Sequence, residues 1–179
     1  MMARPRRQTA RPTKAQKILK DVEKRRKEAE REGLSFTAPT EEQLRRKLRR
    51  TKSPMIVYQA WNGLGAPAGG QINYELGIHN PDPTQWIWLF THVFVGPGNM
   101  VADTGEALAP VDQRFARLTE PQFPGLTIAS GATEPLKFNF DIPATIEKTN
   151  YLGNSFLFQS VWHDIGQYID RAVFSFEVT

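Results

Sequence analysis

Six cations within eight residues form the densest group of chemically active side chains in this 179-residue sequence. They lie in the segment EEQLRRKLRRTK, at Arg45, Arg46, Lys47, Arg49, Arg50 and Lys52. At helical spacing these charges surround most of a helix and leave one apolar edge, at Leu44 and Leu48. Such a density of Lys and Arg favours phosphate contacts that are strong, salt-dependent and indifferent to base sequence. We therefore predict an anion-binding or nucleic-acid-binding site at these six residues.

A second interpretation of the cluster comes from the uneven distribution of charge along the chain. Residues 1–53 contain 18 Lys and Arg against 7 Asp and Glu, a net charge of +11, whereas residues 54–179 contain 5 against 12, a net charge of −7. The pI of about 9.5 therefore reflects the first segment. Because the two charges are complementary, the basic segment could instead dock on an acidic protein surface, its own or a neighbour's.

The three histidines, His79, His92 and His163, are the other residues that could bind a metal ion or transfer protons. No HxH or HxxxH spacing joins them, and the chain has no cysteine that could supply a thiolate ligand. The acidic residues Asp103, Glu106 and Asp112 fall in one irregular segment and are expected to be solvated rather than to bind calcium. We predict no metal site and no cofactor.

No sequence motif of an enzyme accompanies these residues. The chain lacks a G-x-S-x-G nucleophile elbow, a phosphate-binding loop and a dinucleotide fingerprint. The glycines of NGLGAPAGG are followed by neither a lysine nor a helix, as a phosphate-binding loop would require. The absence of a nucleophile, an acid–base dyad or a ligand cluster predicts a protein that is not an enzyme.

The basic cluster belongs to a predicted helical arm at residues 1–53. Thr13 is a suitable N-cap for a helix that runs from Lys14 to about Glu32, with Gly33 at the C′ position. The segment Thr40-Glu41-Glu42-Gln43 matches the capping box that begins a second helix. We therefore predict a basic arm, partly helical or disordered, that ends where strand signals begin at Pro54.

Residues 54–179 are predicted to form a single β domain. Strands are expected at residues 54–61, 71–79, 86–95, 135–142, 154–163 and 171–178. Residues 164–170 are expected to form a hairpin loop, and the irregular region 100–123 to supply one or two short edge strands or helical turns. In the strand 71–79, alternation places Glu75 and His79 on the solvent side. Seven or eight short strands at this spacing predict an all-β, immunoglobulin-like antiparallel β-sandwich.

The strand 86–95 is unusual because both of its faces are apolar. In an immunoglobulin-like order it lies beside the strand 155–163, and the aromatic set that includes Trp88 is expected to face the core. The opposite face would be too large an apolar patch for an exposed surface, and it is predicted to be an interaction face. It could be covered by the Leu44 edge of the arm or by residues 100–123, by a second copy of the chain, or by a ligand. Its members are Ile87, Leu89, Val93, Val95, Leu157, Val161 and Val173.

Three stretches of the β segment carry a resemblance to a known family. They are INYELGIHNPD, SGATEPLKFNFDIP and the final pair FLFQSVW and RAVFSFEV. Together they resemble bacterial immunoglobulin-like accessory domains of the cell-adhesion-related type, over about 100 residues. The resemblance implies a binding or spacer module without catalytic residues. Such domains usually occur in exported proteins, whereas this chain shows no signal peptide and carries a basic arm.

These observations together predict a non-catalytic protein-interaction or assembly module whose basic arm binds an anionic partner or an acidic protein surface. The alternative is a small coat-type protein whose arm binds packaged nucleic acid. Its partners are expected to be a protein, itself or nucleic acid. No membrane is expected, since the longest apolar run, Trp86–Phe90, is far shorter than the roughly 20 residues of a membrane-spanning helix. The expected location is the cytoplasm, with the virion as alternative.

Overall fold

The computed structural model of this chain describes residues 11–62, 65–84, 86–96, 115–119, 126–142, 144–145, 148–161 and 164–179. The elements of the arm are the helices α1 and α2 with a short strand between them: α1 Lys14–Arg31, β1 Ser35–Thr37 and α2 Glu41–Arg50. The strands that follow are β2 Met55–Trp61, β3 Gln71–His79, β4 Trp86–Gly96, β5 Phe115–Thr119, β6 Leu126–Ile128, β7 Thr133–Asp141, β8 Asn150–Val161 and β9 Asp164–Glu177. The prediction of an antiparallel β segment preceded by two helices is confirmed.

Both helices begin where their capping residues predict. The Thr13 hydroxyl accepts a hydrogen bond from the Gln16 backbone N–H at 3.2 Å, and the Gln16 side chain accepts one from the Thr13 N–H at 3.0 Å. Thr40 and Gln43 form the same reciprocal pair at 3.2 and 2.9 Å. The helix α1 ends at Arg31, and Gly33 follows with φ +72°, the left-handed conformation that glycine adopts without strain.

The strands form two antiparallel sheets. One sheet has the order β1-β2-β3-β7, and the other has the order β5-β4-β8-β9 with β6 paired beside β5 on β4. The predicted strands 86–95 and 155–163 are therefore neighbours, with Phe90 opposite Phe158 and Val93 opposite Ser155. The irregular region supplies one edge strand, β5, within its described residues.

The prediction of a hairpin loop at residues 164–170 is wrong. This segment is the first half of β9, and it pairs with β8 from Asp164 opposite Val161 to Asp170 opposite Leu157. The acidic residues at its two ends resemble turn residues, but Ile165, Tyr168 and Ile169 between them have high β-propensity.

One hydrophobic core joins the two sheets. It combines side chains of β2, β3 and β7 with Ile128 of β6 and with Phe174 and Phe176 of β9. Trp61 is the polar link in this core, since its indole N–H donates to the Ser175 carbonyl at 2.7 Å while its ring meets Phe174 edge-on at 5.9 Å. Aromatic side chains thus fill much of the space between the four-stranded sheet and β9.

Candidate functional site on the docked helical arm

The arm lies on the outer face of the four-stranded sheet through an apolar cluster. Its helices contribute the residues that share one face at helical spacing, and β2 contributes the facing side chains. Burial of each large apolar side chain stabilises the contact by roughly 1.5–3 kcal/mol, independently of charge. The buried members are Ala15, Ile18, Val22, Leu44, Met55, Val57 and Tyr58.

The Leu44 edge of α2 therefore packs on β2, which belongs to the sheet that does not contain β4. It does not serve there as the cover that the sequence suggested for the second apolar face of residues 86–95. The physical reason is the short connection 51–54, which joins the end of α2 directly to β2 and keeps the two elements side by side.

The predicted interaction face lies on β4, β8 and β9, which the structure pairs in that order. The side chains of its seven members lie outside the described part of the chain, as does the side chain of Trp88. Which face of β4 points inward, and what covers the other, therefore stay predictions.

A short strand and a stacked aromatic pair extend the contact between the arm and the sheet. The strand β1 pairs with β2, with Phe36 opposite Ala60. The Phe36 ring stacks on Tyr58 with centroids 5.5 Å apart, and the Arg26 guanidinium lies 5.5 Å from the centroid of the Phe36 ring. Both the backbone and the side chains of the arm thus take part in the sheet.

The polar centre of the contact is a buried carboxylate, Glu75 of β3. Arg25 of α1 binds it through two hydrogen bonds, Nε to Oε1 and Nη2 to Oε2, each 2.9 Å long. The Tyr58 hydroxyl donates to Oε1 at 2.7 Å, and the Lys137 Nζ lies 3.7 Å from Oε2. The Glu75 side chain is 7% exposed, so the expectation that this residue faces solvent is wrong. The arm covers that side of β3 and supplies the cation that a buried carboxylate needs.

The electrostatics of this cluster keep both Glu75 and Arg25 charged. Burial raises the pKa of Glu75, but the hydrogen bonds from Arg25 and Tyr58 and the nearby positive charges outweigh it and hold that pKa below its ordinary value. The hydrogen bond to Glu75 raises the pKa of Arg25. Burial, followed by the hydrogen bond to Glu75, raises the pKa of Tyr58 above its ordinary range. A phenol with a raised pKa is a poor base or nucleophile near neutral pH, so the cluster is built to hold elements together.

A second ion pair fixes the other end of the arm. Lys47 of α2 binds Asp170 of β9 at 3.0 Å and also donates to the Ile56 carbonyl at 3.4 Å. The same carboxylate accepts the Ile56 N–H at 2.7 Å. Lys47 and Asp170 thus hydrogen-bond the carbonyl and the N–H of Ile56, a residue of β2 that β1 does not reach. These bonds protect that stretch of the sheet edge from pairing with another strand.

The structure divides the six predicted anion-binding residues into three groups. Lys47 is used in docking, as above. Arg45 and Arg46 form i,i+4 ion pairs with Glu41 and Glu42 at 2.5 and 3.5 Å, and all four of these side chains are at least 40% exposed. The remaining cations are exposed, and among the described residues no carboxylate lies within ion-pairing distance of them. They are Arg49, Arg50 and Lys52.

Of the three histidines, His79 alone has a side chain in the part of the chain that the structure describes. His79 is buried at the end of β3, not on the solvent side as predicted, and its Nδ1 lies 2.9 Å from the Thr133 hydroxyl. Burial lowers the pKa of His79. His163, Asp103 and Asp112 lie outside the described residues, as does the side chain of His92. Within the described residues, no group of three His, Cys, Asp or Glu side chains could hold a metal ion.

Sequence reasoning missed the contact between Arg25 and Glu75 because 50 residues separate them. One local signal was present, since a glycine inside a strand often marks a close approach. Gly77 lies opposite Tyr58, and a Cβ atom at Gly77 would fall 1.9 Å from the Tyr58 ring carbon Cε1. The glycine thus makes room for the aromatic ring that reaches Glu75.

Comparison with protein families finds no family that matches this chain, and comparison with curated proteins finds no match either. Among solved structures, the chain is similar to the CARDB domain of the PF1109 protein from Pyrococcus furiosus, described as a complex with di-metal ions. The identity is 11%, the TM-score 0.39, and the alignment covers 70% of this chain and 90% of that one. At this identity and TM-score the likeness to that domain is distant.

The chain is also similar to Spo0M, a sporulation control protein from Bacillus subtilis, with 9% identity and a TM-score of 0.41. The alignment covers 72% of this chain and 50% of that protein. Neither helix of the described part is long and apolar enough to cross a membrane.

Proposed function

We propose that this protein is a non-catalytic binding module, an immunoglobulin-like β-sandwich whose docked helical arm presents a cationic surface to an anionic partner. The order of strands supports the sandwich, because β2, β3 and β7 fall in one sheet and β4, β8 and β9 in the other, as strands A, B, E and C, F, G do in immunoglobulin-type domains. The core shared between the first sheet and β9 supports it further.

The observation that carries the functional proposal is the way charge is used in the arm. The arm docks through an apolar cluster and through the ion pairs of two cations, Arg25 and Lys47. The exposed cations of α2 are not needed to hold the arm, and two of them, Arg49 and Arg50, have no acidic partner in the described part of the chain, nor has Lys52 just after the helix. Exposed charges of one sign on a short helix attract polyanions and raise their association rate.

The test is binding to labelled anionic probes, followed by fluorescence anisotropy over a salt series. A 20-base-pair duplex and a polyglutamate peptide represent a nucleic acid and an acidic protein surface. The variant R45Q/R46Q/R49Q/R50Q removes four cations from α2, and K20Q/K24Q/K27Q/R31Q removes four exposed cations from α1 as a control of equal charge. We expect binding that weakens with salt, and a loss of about tenfold or more for the α2 variant alone.

Failure of the wild-type protein to bind either probe at about 50 mM salt would refute the proposal, because phosphate contacts are strongest at low salt. Equal losses for the two variants would mean that net charge, and not α2, directs binding. Particles seen by negative-stain microscopy after addition of nucleic acid would favour the coat-type alternative over a binding module.

A further inference from the structure

A groove runs between α2 and the sheet on the side of the helix away from Leu44. One wall is formed by a stripe of α2 at spacing i, i+3, i+4 and i+7, namely Gln43, Arg46, Lys47 and Arg50. The segment 37–39 and three residues of β2, Ile56, Tyr58 and Gln59, also line the groove, which has a volume of about 520 Å³. Among the described residues that line it, none is acidic and three are cations, so the wall they form contains no countercharge.

Two of the other grooves that border the arm contain acids among their described residues. The groove around Arg25 contains Glu32 and Glu75, which that arginine already binds. The groove between α1 and the turn after β3 contains Asp21. Of these three, the α2 groove is the one whose lining suits an anionic ligand without a competing carboxylate.

The docking contacts organise the α2 groove. Lys47 is held by Asp170 and the Ile56 carbonyl, and this fixes the helix beside β2. Its charge is largely satisfied, so Arg46 and Arg50 are the donors available to a ligand. They lie one helical turn apart, about 6 Å along the axis. Arg46 also forms an exposed ion pair with Glu42 at 3.5 Å, which a stronger anion can replace at little cost.

We propose that this groove binds successive phosphate groups of a nucleic-acid backbone through Arg46 and Arg50, an inference that rests on the proposed function. A guanidinium fork matches a phosphate in geometry as well as charge. The cations continue past the groove to Lys52, which lines the neighbouring groove together with Lys14 and Lys17. A line of cations this long fits a ligand with repeating negative charge better than one with a single charged group.

The lining of the α2 groove also predicts that the protein binds the sugar-phosphate backbone of a nucleic acid and not its bases. Tyr58 is the one aromatic side chain among the described residues that line it, and this side chain is buried with its hydroxyl bonded to Glu75. These residues therefore offer a base no exposed ring on which to stack. Binding should accordingly depend little on base sequence, and duplexes of DNA and RNA with the same sequence serve as the probes.

The experiment compares two double variants with the same change in charge on the same helix. R46Q/R50Q removes the two arginines of the groove, and R45Q/R49Q removes two exposed arginines outside it. Each pair is spaced i,i+4, and each includes one arginine that pairs with a glutamate of the first turn. We expect R46Q/R50Q to weaken duplex binding about tenfold or more and to lower the salt slope by about 2, and R45Q/R49Q to weaken it less than about threefold. Circular dichroism of both variants verifies that α2 remains folded.

Each outcome is decisive. Equal losses of affinity for the two double variants would refute the groove as the binding site. The proposed function would stand, since the arm would then bind through its diffuse positive charge. Absence of wild-type binding to any anionic probe would instead refute the proposed function itself. Displacement of the duplex by polyglutamate at equal charge concentration would overturn the assignment to nucleic acid. The variant R46K/R50K keeps the charge but loses the fork, and we expect it to bind less tightly than wild type.

Discussion

Removal of the Arg25 guanidinium is the sharpest test of how the arm is held. In Arg25→Met the apolar stem is kept, but the Glu75 carboxylate loses both of its 2.9 Å hydrogen bonds from the arm. Truncation of one partner of a fully buried ion pair costs about 3–5 kcal/mol. Since Arg25 is 16% exposed and Lys137 lies near Glu75, we expect a cost of about 2–4 kcal/mol in the free energy of unfolding.

The measurement is urea denaturation followed by circular dichroism, with Arg26→Met as the matched control. Arg26 also pairs with a glutamate, Glu23 at 3.3 Å, but both side chains are more than 40% exposed. Exposed pairs contribute about 0–1 kcal/mol, so Arg26→Met should cost far less, even with the loss of its contact to Phe36. A double-mutant cycle of R25M with E75Q should give a coupling free energy of about 1 kcal/mol or more. Equal costs for the two single variants, or a coupling near zero, would refute the reasoning.

The same ion pair predicts a pH dependence of stability. Because the pKa of Glu75 lies below 4.5 in the folded protein, the unfolded chain takes up this proton first. The stabilisation is therefore present above about pH 4.5 and is lost as the pH falls through the folded pKa. The contribution of His79 is lost at a higher pH. Burial holds its pKa in the folded protein below 6.5, so the unfolded chain binds this proton more readily and stability begins to fall below about pH 6.5. In a plot of the free energy of unfolding against pH, Glu75→Gln should reduce the decline below pH 4.5 and leave the decline that begins near pH 6.5 unchanged.

Three further substitutions test other contacts of the arm by thermal or urea denaturation. Gly77→Ala places a methyl group against the Tyr58 ring and should cost about 1–3 kcal/mol, and an unchanged stability would contradict the close approach. Leu44→Ala opens a cavity at a fully buried site and should cost about 2–5 kcal/mol, clearly more than Leu48→Ala at the margin of the same cluster. Asp170→Ala removes the partner of the Ile56 N–H and of Lys47, so light scattering should detect increased self-association, whereas a variant that stays monodisperse would show that the β2 edge is protected by other means.

The elements set by local signals could be predicted from the sequence. Both capping boxes, at Thr13 and Thr40, begin helices where expected, and the strand 71–79 has the predicted bounds. These features depend on residues a few positions apart, and a single sequence contains them. The strands 86–95 and 155–163 were predicted as neighbours from an immunoglobulin-like strand order, and the structure pairs them.

The features set by tertiary contacts were missed. The three residues of β1 are too few to show a periodicity, and they form a strand because β2 offers an unpaired edge. Glu75 alternates with apolar neighbours as an exposed residue would, and it is buried because the arm covers it. The segment 164–170 looks like a loop by composition, and pairing with β8 makes it a strand. In each case the deciding partner lies far away in the sequence.

The docked arm also changes how its charge is to be understood. An isolated helix of ten residues is too short to be stable in water, so α2 owes its structure to Leu44 in the cluster and to Lys47 on Asp170. Without those contacts the arm would carry the same net charge, but Arg46 and Arg50 would not face a common groove. The number of cations therefore determines the long-range attraction of polyanions, and the docking contacts determine which of those cations can bind a ligand together.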